Sequence, residues 1–183
     1  MHKALFLDRD GIINVDSGYV STLSQFIFVD GLFSFLKKAI SADYKLIIVT
    51  NQSGIARGYY TETDFLNLMK EVDVKMQEQG IQIEATYYCP YHPDGKVAGY
   101  AIEHFDRKPS PGMILRAIEE HQIDPLQSYI IGDHMRDIEA GHKAGLKGGF
   151  LVSSSSDMLE HKNKMDNFDF LRVDRLTDLL SFF

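Results

Sequence analysis

The sequence has 183 residues, 44% hydrophobic and 25% charged, enough to bury a core as a single domain over 1–183. A formal net charge of −7 leaves no broad basic surface for nucleic-acid backbones. The lone cysteine, Cys89, excludes an intramolecular disulfide framework and suits a reducing compartment.

Residues 3–7 (KALFL) predict a short buried strand, and Asp8 and Asp10 of "DRDG" follow it directly. The apolar run there is too short for a signal peptide or a membrane span. A cytoplasmic monomer without membrane or nucleic-acid partners is therefore expected. A helix follows over 31–42, then a β-branched strand over 45–50 that ends in Thr50, Asn51, Gln52 and Ser53. The helix predicted over 61–80 has a capping start at Thr61 and Asp64 and a stop at Gly80. A third strand covers 85–89.

Arg107 and Lys108 precede a helix over 110–122, where Ser110 is the expected N-cap and Pro111 the first helical residue. The strand over 128–132 leads into Gly132, Asp133 and Asp137, the last opening a helix over 137–145. Strands over 148–152 and 168–173 complete the pattern, with the aromatic "DLLSFF" end read as core. The "SSSS" run at 153–156 reads as a loop. His2, His121, His142 and His161 are expected at the surface.

Apolar strands separated by helices imply an α/β fold: a doubly wound, Rossmann-like parallel sheet, helices on both faces, no large cap domain. In such sheets ligands gather at the carboxyl ends of the strands. Four elements deliver carboxylates, a hydroxyl and a cation pair to that edge, which suits phosphoryl transfer. Asp8 is the candidate nucleophile, forming an aspartyl-phosphate. Asp10 is the candidate acid and base. Mg²⁺ held by Asp8, Asp133 and the backbone carbonyl of Asp10 would offset the repulsion between carboxylate and phosphate. The Thr50 hydroxyl and the Lys108 ammonium would hold phosphoryl oxygens, and Gly11 would permit a sharp turn beside them.

"DRDG", Thr50, Lys108 and "GDHMRD" resemble the motifs of haloacid-dehalogenase-like phosphatases. "LDRDGIINVDSGYV", "VTNQSGIARGYYTE", "YYCPYHPDG" and "RKPSPGM" further resemble the heptose 1,7-bisphosphate 7-phosphatase branch, close to the histidinol-phosphate phosphatases. The likeness covers most of residues 3–150. It implies hydrolysis of a small phosphorylated sugar, serving heptose supply for bacterial surface polysaccharide. It further implies a substrate site lined by Asp16, Ser17, Gly18, Tyr19, Asn51, Gln52 and Ser53, with Arg107 recognising substrate.

The chain departs from that pattern in three places. Ile12 stands where threonine is usual, and His134 stands where a lysine follows Asp133, at a position implied to contact substrate. The family's loop carries a structural zinc in a C-x-H, twelve residues, C-x-C pattern. Here Cys89, Tyr91, His104 and Asp106 occupy those places. With His92 replacing Tyr91 the set becomes Cys89, His92, His104 and Asp106, a weak zinc site. The expectation is a loop held by hydrogen bonds and packing.

Three other readings compete. Histidinol phosphate is cationic, which Arg107 disfavours. A phosphatase for nucleic-acid 3′ ends conflicts with the acidic balance. A non-catalytic binding protein on the same fold would be expected to lack the nucleophile or a metal ligand, and none is missing here.

Overall fold

The computed structural model describes residues 1–153 and 162–183. Seven strands form one sheet: β1 (Lys3–Leu7), β2 (Tyr44–Asn51), β3 (Ala85–Cys89), β4 (Tyr129–Gly132), β5 (Gly148–Val152), β6 (Lys162–Met165) and β7 (Phe168–Val173). Their spatial order is β3-β2-β1-β4-β5-β7-β6. Every pairing is parallel except that of β6 with β7. The chain runs outward from β1 on one side and from β4 on the other, so these central neighbours flank the switch point where a crevice opens.

Side chains alternate across the pleat, and the helices sort accordingly. Leu5, Leu7, Leu46 and Ile48 face one layer, packed on α1 (Leu32–Ser41) and α3 (Glu62–Glu78) through Phe35, Phe65 and Val72. Ala4, Phe6, Ile47 and Val49 face the other, packed on α4 (Gly112–Glu120) and α5 (Met135–Lys143) through Ile114 and Ile138. Strands covered on both faces explain why the sequence shows apolar runs rather than alternation.

Local chemistry sets the helix ends. Thr61 caps α3 as expected: the Asp64 amide donates to its hydroxyl at 3.1 Å, and the Thr61 amide donates to Asp64 Oδ2 at 2.8 Å. Ser110 is not a cap. Pro111 occupies the N-cap place of α4 without a side-chain bond, so that helix starts later than expected. α5 starts earlier, at Met135, because Asp137 sits inside its first turn, accepting from the His134 amide at 3.1 Å. A five-residue helix, α2 (Ser53–Arg57), follows β2 directly. No periodicity in so short a segment announces it.

His121 and His142 are half-buried rather than at the surface: one meets Glu84 at 3.2 Å, the other packs on Phe168. Residues 154–156 of the serine run, and His161, lie outside the described residues. Among those described, no helix is long and apolar enough to cross a membrane.

Candidate active site

Asp8 follows the last residue of β1 and is buried, as are Lys108 and Asp137. Lys108 Nζ lies 3.0 Å from Asp8 Oδ1 and 2.6 Å from Asp137 Oδ1, and it donates to the Val49 carbonyl at 2.7 Å. Three acceptors match the three hydrogens of an ammonium. Burial pushes the Asp8 carboxyl up to about 7 against the pull of Lys108, with Asp137 and Asp10 adding to the rise. Burial alone would favour neutral Lys108, but Asp137 and Asp8 together hold its pKa above the ordinary value.

Lys108 reaches this position because Asn51 grips its backbone from both sides. The Asn51 amide donates to the Lys108 carbonyl at 3.0 Å and accepts from the Lys108 N–H at 3.0 Å. Through these two bonds Asn51 positions the loop that carries Lys108.

Asp10 is held by three side chains. Arg9 Nη2 donates to its Oδ1 and Oδ2 at 2.8 and 3.0 Å, Asn14 Nδ2 to Oδ1 at 3.0 Å, and Gln52 Nε2 to Oδ2 at 3.2 Å. Gln52 also donates to the Thr50 hydroxyl at 2.8 Å. It is buried, with its carbonyl taken by the Tyr60 hydroxyl at 2.6 Å, so it too supports the site from behind instead of lining it. Arg9, Asn14, Asp137 and Tyr60 have parts that the motif spacing alone did not assign.

Asp133 follows β4 and leans over Gly11, whose backbone has φ +82°. A Cβ there would lie 2.3 Å from Asp133 Oδ2, so only glycine permits this approach. Burial raises the Asp133 pKa, and His134 Nδ1 sits 2.7 Å from its Oδ1. Two carboxylates, the buried Asp8 and the half-buried Asp133, both pushed toward the protonated form, are the kind of oxygen donors that a hard divalent cation restores to charge. The residues fit Mg²⁺. Asp133, His134 and Asp137 gather within 4.8 Å of one another, and this cluster belongs to the same site.

The remaining candidates lie further out. Asp16, Ser17, Gly18 and Tyr19 form an exposed loop tied by the Gly18 amide donating to Asp16 Oδ1 at 2.9 Å. The loop's next residue, Val20, is anchored by Arg9 Nη2 donating to its carbonyl at 3.0 Å. Tyr19 meets Tyr59 edge-on at 4.5 Å. Ser53 opens α2, half-buried. Arg107 reaches the Tyr91 carbonyl at 3.4 Å, and Arg57 Nη2 lies 3.1 Å from His92 Nε2. Ile12 is wholly buried in the core, so its departure from threonine bears on packing rather than on substrate contact.

The four residues weighed for zinc do not fit it. Burial pushes the Cys89 thiol up to about 11, away from the thiolate that binds metal. The His92 nitrogens face the Arg57 guanidinium and the Asp94 amide. His104 stacks on Tyr91 at 4.3 Å, and Asp106 pairs with Arg116 at 3.3 Å. The loop is instead clasped by Glu62, which accepts from the Tyr88 and Tyr100 hydroxyls at 2.8 and 2.7 Å.

Comparison with known proteins gives the family. A family model described as HAD-hydrolase-like matches residues 105–179. The chain is 44% identical over 168 residues to the D-glycero-beta-D-manno-heptose-1,7-bisphosphate 7-phosphatase of Pasteurella multocida, covering 92% of this chain and 91% of that one. Its identity to the Haemophilus influenzae enzyme of the same name is 47% over 153 residues, with 83% and 82% covered. Among solved structures, the D,D-heptose 1,7-bisphosphate phosphatase of B. bronchiseptica, complexed with magnesium and phosphate, superposes with a TM-score of 0.80 at 26% identity. That match covers 98% of this chain and 96% of the other.

Proposed function

Since the chain belongs to the haloacid-dehalogenase-like hydrolases, in the family of the heptose-1,7-bisphosphate 7-phosphatases, we propose that it removes the 7-phosphate of D-glycero-D-manno-heptose 1,7-bisphosphate. One observation carries the reading: a buried carboxylate at the end of the central strand, 3.0 Å from a buried ammonium that a second carboxylate holds in place.

Asp8 attacks phosphorus through a carboxylate oxygen, and the ester bond to the sugar oxygen breaks. Asp10 gives its proton to the departing alkoxide, then takes one from the water that cleaves the aspartyl-phosphate and frees inorganic phosphate. The Thr50 hydroxyl holds an equatorial oxygen, and the Lys108 ammonium offsets by its charge what accumulates there. The Asp8 and Asp133 carboxylates and the Asp10 backbone carbonyl would hold Mg²⁺, which would supply the positive charge that lets two anions meet. Lys108 shares its hydrogens among three protein acceptors, so it is fixed before substrate arrives and little reorganisation remains.

Recognition of the sugar falls to Arg107, to the loop from Asp16 to Tyr19, to Ser53 and to His134, which stands where the family's pattern has a lysine. The protein works as a cytoplasmic, single-domain monomer, supplying heptose for surface polysaccharide.

Phosphate release with Mg²⁺ from this bisphosphate, beside histidinol phosphate and fructose 1,6-bisphosphate, tests the reading. Strong preference for the heptose, abolished by Asp8→Asn, is the expected result. Equal, slow turnover of all three would remove the substrate assignment, and activity surviving in Asp8→Asn would remove the mechanism.

A further inference from the structure

We infer that Tyr60, acting through Gln52, is a positioning residue that aims the acid–base carboxylate Asp10 and the Thr50 hydroxyl at the same phosphoryl group. The inference rests on the proposed role of Asp10 and extends it to residues outside the reacting atoms.

The Tyr60 hydroxyl donates to Gln52 Oε1 at 2.6 Å, which fixes which end of the amide faces which way. The opposite end, Nε2, then points at two acceptors, Thr50 Oγ1 at 2.8 Å and Asp10 Oδ2 at 3.2 Å. Turned over, the amide would set its carbonyl oxygen against the carboxylate, an arrangement without a donor. On the far side of Asp10, Asn14 holds only Oδ1. Arg9 spans both oxygens, but from one residue away along the chain. Gln52 is therefore the one of these three donors that comes from another strand end, and it ties Asp10 to the strand that carries Thr50.

Tyr60 is itself well fixed. It directly precedes Thr61, the cap of α3. Its ring lies so close to α2 that a Cβ at Gly54 would come within 2.2 Å of Cε1. Burial pushes its pKa up to about 12, so the hydroxyl remains a donor throughout the working range. The relay thus runs from a helix start, through one buried amide, to two groups that touch phosphate.

A general acid matters most when the leaving group is a poor one, because a good one departs without a proton. A sugar alkoxide needs the proton, whereas p-nitrophenolate does not. The test measures the first-turnover rate of leaving-group release from the heptose bisphosphate and from p-nitrophenyl phosphate, for wild type, Tyr60→Phe, Gln52→Met and Asp10→Asn.

Tyr60→Phe keeps the ring and removes only the donor. It is expected to slow release of the sugar about tenfold and of p-nitrophenolate less than about threefold, with KM for the sugar unchanged. Gln52→Met, cutting the relay at its other link, is expected to show the same selectivity. Equal losses on both substrates, or a change confined to KM, would overturn the inference. Asp10→Asn separates the two layers of argument. If it is selective while Tyr60→Phe is not, the relay fails alone. If it slows both substrates alike, the acid role of Asp10 fails and the relay with it.

Discussion

Lys108 Nζ is closer to Asp137, at 2.6 Å, than to Asp8, at 3.0 Å. The lysine is thus fastened to α5 and presented to the nucleophile. Asp137→Asn is expected to lower kcat by about a hundredfold, because the ammonium loses its charged tether while every reacting group stays. Lys108→Met leaves Asp137 buried without a countercharge and is expected to cost about 3 kcal/mol or more of stability. Urea unfolding checks the second, steady-state kinetics the first.

The raised pKa of Asp8 gives a pH dependence whose sign can be worked out. Its folded value, about 7, lies above the ordinary 3.8. Metal-free protein therefore holds this contribution to stability below about pH 4 and loses it as pH climbs toward about 7. Magnesium favours the ionised form, so the rise in Tm on adding Mg²⁺ is expected to grow from about pH 5 to about pH 8. Asp8→Asn is expected to flatten that growth. Thermal denaturation with and without Mg²⁺ across the range reads both.

Glu62 clasps the loop that in the family's pattern carries zinc ligands. Exhaustive chelation followed by Mg²⁺ alone is expected to restore full activity, with metal analysis finding no zinc. Glu62→Ala strands the two tyrosine hydroxyls and is expected to cost about 1–3 kcal/mol. The loop over 90–106 should then become a site of early proteolysis.

Tyr19 and Tyr59 join two loops through an edge-on contact at 4.5 Å. Tyr19 has a left-handed backbone, φ 52°, a conformation that a side chain adopts only when its surroundings demand it. Tyr19→Ala is expected to raise KM for the sugar bisphosphate several-fold, about what one aromatic contact is worth, with kcat little changed. Unchanged selectivity among sugar phosphates would detach this loop from recognition.

The sheet and the polar residues at its carboxyl edge were legible because each strand leaves a short-range signal: an apolar run, then polar residues at its end. Asp8, Thr50 and Asp133 could be found that way. Their supports could not. Gln52 reaches Asp10 across 42 residues and Asn51 reaches Lys108 across 57, and single-sequence patterns carry no trace of such pairing. In the sequence both look like substrate ligands, and the structure shows them bonded to the protein, Gln52 buried and Asn51 half-buried. Arg9 was hidden differently, as the middle letter of a motif whose outer letters carry the chemistry. Near Ser110 the cap signature was present, but Pro111 took the N-cap place.

The double grip of Asn51 on the Lys108 peptide has an evolutionary consequence. The 56 residues between them include α2, α3, β3 and the aromatic loop, yet the two ends of that stretch are stapled beside the Lys108–Asp8 pair. Substitutions and insertions can accumulate inside the closed span without moving the lysine. Heredity can then revise which alcohol is chosen while the bond-breaking apparatus is passed on intact.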